Sequence, residues 1–292
     1  MARSSSESIP VARSERLVLG LFTAAVFLSA LLLFGVQPMF SRMVLPQLGG
    51  SPSVWSVAMV FFQSMLLAGY AYAHFLAGMQ NRRLAVATHL ALLTGALFML
   101  PLSIADWGAP PASGTAFWLL GLFTVSIGLP FFALAANNPL LQTWFVRTGH
   151  REAHDPYFLY AASNIGRFLA LLSYPLLLEP AFTLRTQGWM WSGGFVLLVA
   201  VIGVCGAVML RSGAEAQGVE VRPAGAKPAL LLLGRWVFLS TVPSGLLVAV
   251  TAHISTELTS APLLWVMPLS LYLLTWVLVF QSSPASTALQ AM

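Results

Sequence analysis

Residues 17–34 read LVLGLFTAAVFLSALLLF, eighteen positions without one ionisable or amide side chain. A run of that length and character is the signature of a helix that crosses a lipid bilayer. Arg13 and Arg16 precede it, as they would precede a secretory signal. The run is longer than the 7–15 apolar residues of a signal peptide, however. It continues into Gly35-Val36-Gln37-Pro38 with no small-x-small cleavage site, so it reads as a retained first span. The pattern then recurs down the chain. Apolar runs occupy 17–36, 54–78, 84–104, 116–136, 157–178, 189–210, 230–252 and 262–281. Each is long enough to traverse about 30 Å of hydrocarbon. Barrel strands would instead alternate over about ten residues. The expected fold class is therefore an all-α polytopic membrane protein with about eight transmembrane helices.

The composition of the 292 residues agrees. Hydrophobic residues make up 58%, charged residues 8%, and the mean hydropathy is +0.82. Soluble domains carry about 25% charge, so this chain cannot clothe a soluble surface. Disorder needs low hydrophobicity and high charge, which excludes it as well. The expected organisation is a cytoplasmic tail over 1–16, a six-span membrane bundle over 17–210, a cytoplasmic linker over 211–229, two further spans over 230–281 and a C-terminal tail over 282–292. The linker is marked by Gly, Ala, Pro and mixed charge.

Charge sets the orientation. With the N-terminus placed in the cytoplasm, the inner segments hold Arg3, Arg13, Arg16, Arg82, Arg83, Arg147, Arg151, Arg211, Arg222, Lys227 and Arg235. The outer segments hold only Arg42 and Arg185, and Arg167 falls within a span. By the positive-inside rule this split predicts eight spans with both termini cytoplasmic. The net charge of +5 and a pI near 9.9 do not indicate a nucleic-acid partner. The cations are scattered between apolar runs rather than gathered into a patch. Trp55, Trp107, Trp118, Trp144, Trp189, Trp191, Trp236 and Trp265 lie near the proposed span ends and read as an aromatic belt. Cys205 is the one cysteine, so no disulfide or cysteine-based metal site forms within one chain. It reads as a small lipid- or helix-facing filler.

Motifs for common chemistry are missing. There is no GxxxxGK[ST] loop, no GxGxxG after a strand and no HExxH, and no cofactor or metal is expected. His150 and His154 stand four apart in a charged loop, and solvated loop histidines are the plainer reading. Gly49-Gly50-Ser51-Pro52-Ser53 reads as a tight reversal, although such a turn can also cradle an anion. Polar side chains inside apolar runs are more informative, because lipid penalises them unless they face a bundle interior or a cavity. Gln37 with Pro38 is expected to end the first span. Asn137 and Asn138, before Pro139 and after Pro130, suggest a kinked or broken fourth span. Asn164 and Arg167 stand three apart, on one helical face. Arg167 needs a partner, and Glu179 and Glu257 are the carboxylate candidates. The set Gln37, Asn137, Asn138, Asn164, Arg167 and Glu257 defines a candidate intramembrane polar seam, with Glu257 or the asparagine pair facing Arg167. Two readings remain open: a polar cavity or ion path, and interhelical hydrogen bonds that hold the bundle together.

Several stretches carry a resemblance as a set. These are Val36-Gln37-Pro38, Leu45-Pro46, Gly49-Gly50-Ser51-Pro52-Ser53-Val54-Trp55, Phe61-Phe62-Gln63, Gly69-Tyr70-Ala71-Tyr72-Ala73-His74, Gly128-Leu129-Pro130-Phe131-Phe132, Asn138-Pro139-Leu140-Leu141-Gln142, Asp155-Pro156-Tyr157-Phe158-Leu159-Tyr160-Ala161-Ala162-Ser163-Asn164-Ile165-Gly166, Tyr174-Pro175 with Glu179-Pro180, and Ala261-Pro262-Leu263-Leu264-Trp265-Val266-Met267-Pro268-Leu269. Together they resemble the membrane region of bacterial spermidine-synthase-like integral membrane proteins, over nearly all of residues 15–281. Arg167 departs from that pattern, which would place a small residue after Ser-Asn-x-Gly. The resemblance implies a membrane region joined to a cytoplasmic domain like a polyamine aminopropyltransferase. No position here matches that domain's motifs, so no catalytic residue carries over. The expectation is a non-catalytic membrane module, either part of a longer protein or standing alone. It would anchor an aminopropyltransferase-like domain or protein, or handle polyamines. The alternative is a standalone secondary transporter of a small solute, whose broken helices and midplane polar groups this chain loosely matches.

Overall fold

The computed structural model describes residues 8–48, 52–111, 113–154, 157–212, 230–253 and 266–279. Helix accounts for 88% of the structure, and no strand occurs among the described residues. The helices are α1 (Ser8–Leu48), α2 (Pro52–Ala77), α3 (Arg82–Leu97), α4 (Thr115–Phe123), α5 (Leu129–Val146), α6 (Tyr157–Ser173), α7 (Glu179–Ala181), α8 (Leu184–Ser212), α9 (Leu230–His253) and α10 (Val266–Val279). A π turn at Thr124–Gly128 fuses α4 and α5 into one rod, Thr115–Val146, and another at Tyr174–Leu178 joins α6 to α7. Six of these segments are long and apolar enough to cross a membrane: Glu15–Pro46, Ser56–Ala77, Thr115–Val146, Phe158–Ala181, Leu184–Ser212 and Leu230–Val250.

Four details differ from the sequence expectation. The first helix does not stop at Gln37-Pro38 but runs through Pro38 and Pro46 to Leu48. The carbonyls near the proline find side-chain donors: Gln37 Nε2 donates to Leu33 O at 3.4 Å, and Trp191 Nε1 donates to Leu32 O at 2.9 Å. Neither replaces the bond that Pro38 removes, which is the one to Phe34 O four residues back; the Trp191 bond ties this stretch of α1 to α8. Likewise, the fourth span is not broken. The backbone skips one residue in a π turn just before Pro130, whose ring lacks the N–H an α-turn needs. The third span is a helix of only 16 residues, about 24 Å long, followed by a turn and irregular chain. Finally, two of the tryptophans assigned to an aromatic belt are core residues. Trp144 is buried against His89, and Trp191 is buried on α1.

The rod α4–α5 lies at the centre, with 67% of its most apolar window buried against 28–39% for the windows of α1, α2, α6–α7 and α8. Around it α1 packs on α5, α6 and α8, α2 packs on α5, and α3 packs on α5 and α8. α10 lies on α6, where Leu171, Leu273, Phe34 and Leu269 form a small apolar cluster. α9 touches α10, and the most apolar window of α9 is 0% buried.

Contacts sort the helix termini into two ends. At one end Arg147 donates to Ala77 O, His150 Nε2 bonds Glu15 O at 3.1 Å, and Phe145 packs on Phe22 and Phe158. Arg16, Arg82, Arg83, Arg147, Arg151 and Arg211 belong to these termini. Burial and the neighbouring Arg82 both lower the pKa of Arg147. At the opposite end Arg42 pairs with Glu179 at 2.5 Å, and Leu102 reaches Gly188. Thus α3 and the chain after it together run from one end of the bundle to the other.

Two glycines allow the closest helix crossings. A Cβ on Gly69 would stand 2.6 Å from Ala135 Cβ and 3.1 Å from Ala136 N. A Cβ on Gly166 would stand 2.7 Å from Phe27 O. Both neighbours are backbone or backbone-fixed atoms that cannot swing away. Gly69→Ala and Gly166→Ala should each cost about 1–3 kcal/mol through overpacking. Gly193→Ala, with nothing within 4 Å, should be neutral or slightly stabilising. Thermal denaturation in detergent checks this, and equal midpoints for all three variants would contradict the packing.

Candidate functional site: a buried polar centre on the central rod

Asn137 and Asn138 stand on the rod just before Pro139, and the structure buries both, at 0% and 8% exposure. They face different neighbours, since consecutive helical residues point about 100° apart. Asn137 Nδ2 donates to Ser29 Oγ on α1 at 3.0 Å, and its Oδ1 lies 2.8 Å from His89 Nε2 on α3. One amide therefore ties three helices together. Because Oδ1 only accepts, His89 Nε2 carries the proton in this arrangement. Asn138 Nδ2 donates to Ser163 Oγ on α6 at 3.1 Å, and Gln142 Nε2 returns a bond to Asn138 Oδ1 at 3.1 Å.

Three further polar atoms on His89 and the two rings packed against it have no hydrogen-bond partner. They are the ring's own Nδ1, the Tyr72 hydroxyl and Trp144 Nε1, all buried. The Tyr72 and Trp144 rings each lie 6.0 Å, centroid to centroid, from the imidazole. His89 is itself 1% exposed. The centre thus collects Ser29 from α1, Tyr72 from α2, His89 from α3, and Asn137 and Trp144 from α5.

The rest of the anticipated seam is dispersed. Gln37 bonds within its own helix. Asn164 is buried next to Ser163, and Arg167 Nη1 reaches Asn164 Oδ1 at 3.5 Å. Arg167 also stands over the Phe34 ring, 5.3 Å from its centroid, and its Nε is buried without a partner. Neither Asn137 nor Asn138 bonds to it, since their amides are taken by Ser29, His89, Ser163 and Gln142. Glu179, one proposed partner, is engaged by Arg42 instead. The reason is position: Glu179 opens the last turn beyond the π turn, three helical turns past Arg167, at the end of the bundle. Glu257 and the Gly49-Gly50-Ser51 part of the turn lie outside the described residues.

Sequence reasoning missed Ser29, Tyr72, His89 and Trp144. His89 carried the available signal, being the one ionisable side chain between Arg83 and Asp106. Cys205 is fully buried on α8, so it faces neighbouring helices. No group of three or more His, Cys, Asp or Glu suited to a metal occurs among the described residues. No family model, curated protein or solved structure matches the chain.

Asn137→Ala removes the shared partner of Ser29 and His89. Buried polar groups left unpaired cost about 1–3 kcal/mol. The variant should unfold measurably earlier than wild type in detergent, whereas Gln37→Leu, which loses one long intrahelical bond, should change the midpoint far less.

Proposed function

We propose that this chain is a non-catalytic multi-span inner-membrane module of the kind found in spermidine-synthase-like proteins, holding an aminopropyltransferase-like domain or protein at the cytoplasmic face. The end carrying Arg16, Arg82, Arg83, Arg147, Arg151 and Arg211 is the proposed cytoplasmic face, by the positive-inside rule. Its apolar helices are compatible with a multi-pass membrane protein.

The observation that supports the reading is where the family-like stretches go. Gly69 seats α2 on Ala135 and Ala136 of the rod, and Gly166 seats α6 on Phe27 of α1. Asn138 and Gln142 join the rod to Ser163. Glu179 closes on Arg42. These residues join helices, and none forms a nucleophile–base pair. A scaffold that presents a partner needs that arrangement; a catalyst needs reacting groups within hydrogen-bond reach.

Handling of a polyamine by the module itself draws less support. The described interiors of α1, α2, α3, α4–α5 and α8 hold no carboxylate to neutralise an ammonium group. The second reading, a secondary transporter, is favoured by one observation, the buried polar centre around His89.

Purified full chain incubated with decarboxylated S-adenosylmethionine and putrescine should yield no spermidine above the protein-free level. Protein-dependent spermidine formation would overturn the non-catalytic reading. Reconstituted vesicles should likewise show no protein-dependent uptake of labelled spermidine, and uptake would select the transporter instead.

A further inference from the structure

The end of the bundle where α3, α5 and α8 meet gathers cations that the helix packing does not use. Gly206 on α8 fixes the level of the three helices. A Cβ there would stand 2.8 Å from Val86 Cγ1 on α3 and 3.4 Å from Trp144 Cζ3 on α5. Arg82 lies four residues from Val86, Arg147 three from Trp144 and Arg211 five from Gly206, all toward the same end. At 1.5 Å per residue these steps are about 4–8 Å, so the three side chains leave their helices at nearly one depth. Arg82 shares a helix face with Val86, and Arg147 shares one with Trp144. Both therefore start from the sides of α3 and α5 that meet α8. Arg147 is further placed by its bond to Ala77 O, at the end of α2 and one short turn before Arg82.

No carboxylate answers this charge among the described residues. The ion pair found there joins Arg42 to Glu179, at the opposite end of the bundle. Glu15 and Glu152 lie at the cationic end but pair with none of the three arginines. Arg82 lies close enough to lower the pKa of Arg147, which burial lowers as well. Gathering guanidinium groups in a partly buried place costs Coulomb energy that a bound anion offsets. Access is open, because Arg82 and Arg147 are half-buried and Arg211 is exposed. Toward the middle of the bundle the same helices turn apolar side chains outward: Leu84 on α3 and Val204 on α8 are each 51% exposed. An anion with a hydrocarbon tail matches both features at once, with its charge on the arginines and its chain along α3 and α8. An acidic segment of a soluble protein would match only the charge.

We propose that Arg82, Arg147 and Arg211 form a headgroup site for an anionic phospholipid, whose phosphate they hold and whose acyl chain lies along the exposed apolar side of α3 and α8. Guanidinium groups present planar N–H forks that fit phosphate oxygens, and basic sites between span ends suit acidic headgroups. Which leaflet supplies the lipid rests on the orientation proposed above, but the site itself does not.

The test places the full chain in phosphatidylcholine nanodiscs with a trace of spin-labelled phosphatidylglycerol or spin-labelled phosphatidylcholine. Association is read from the motionally restricted part of the spectrum. Both lipids carry a phosphate, but choline neutralises one of them. The two leaflets have the same composition, so the result is independent of orientation. Wild type should prefer phosphatidylglycerol about fivefold or more, the equivalent of one arginine at a membrane surface. Of the three arginines only Arg147 bonds a described residue, so Arg82 and Arg211 can be changed without loosening the bundle. Arg82→Gln and Arg211→Gln should each lower the preference, and the double variant should abolish it. Arg235→Gln, which removes the same charge at the start of α9, should leave it unchanged. A wild type without preference overturns the proposal. Equal losses in Arg82→Gln and Arg235→Gln overturn it too, because they would reflect the general field of the basic end. Inorganic phosphate should displace no more lipid than chloride at equal ionic strength; greater displacement overturns the lipid in favour of a free anion. Saturable binding of polyglutamate, with no lipid preference, overturns it in favour of an acidic protein.

Discussion

A membrane interior offers no water to a polar group, so every amide and carbonyl there must find its partner within the protein. The bond set of Asn137 meets that constraint where the bundle needs it most. Its side chain sits at the middle of the most buried helix and reaches Ser29 on one neighbour and His89 on another. Apolar packing alone has no preferred register between helices in lipid, because tails are as apolar as leucine. A shared amide supplies that register, since sliding α1 or α3 by one turn would orphan a buried polar group on each side.

The same constraint explains how the chain tolerates its prolines. Pro38 removes the backbone donor to Phe34 O, and the helix holds on either side of it, with Gln37 and Trp191 adding bonds to Leu33 O and Leu32 O. Pro130 and Pro175 adjoin or lie within π turns, which shift the hydrogen-bond ladder by a residue instead of breaking it. The resulting long, slightly irregular helices bring Gly69 onto the rod and Gly166 onto α1. Small residues at such crossings let backbones approach and gain van der Waals contact, the main attraction available between helices in lipid.

Much of this was legible in the sequence, but unevenly. The helical class follows from continuous apolar runs such as 17–34 that no soluble fold could use. Helix ends were harder, because a proline in sequence marks a possible break and only the neighbours decide whether the break occurs. Pro38 and Pro139 both proved internal. The third run also overestimated its helix, since an apolar stretch does not distinguish helix from the turn and irregular chain after Leu97. Asn137, Asn138 and Asn164 stood out as polar residues in apolar surroundings, and the structure buries all three. Their partners could not be read, because Ser29, Tyr72, His89 and Trp144 come from other helices at separations set by the tertiary packing. Arg167 shows the reverse case. Its sequence context demanded a carboxylate, but Asn164 and an aromatic face meet it in the described structure.

The central claim is that the Asn137–His89 bond is a specific tie between the rod and α3. A double-mutant cycle of Asn137→Ala and His89→Ala, read as unfolding free energy in a fixed lipid or detergent, isolates that tie. The account predicts favourable coupling of about 0.6 kcal/mol or more, within the roughly 1.7 kcal/mol ceiling measured for interhelical bonds in membranes. Two single-mutant losses that simply add, within about 0.3 kcal/mol, would contradict it.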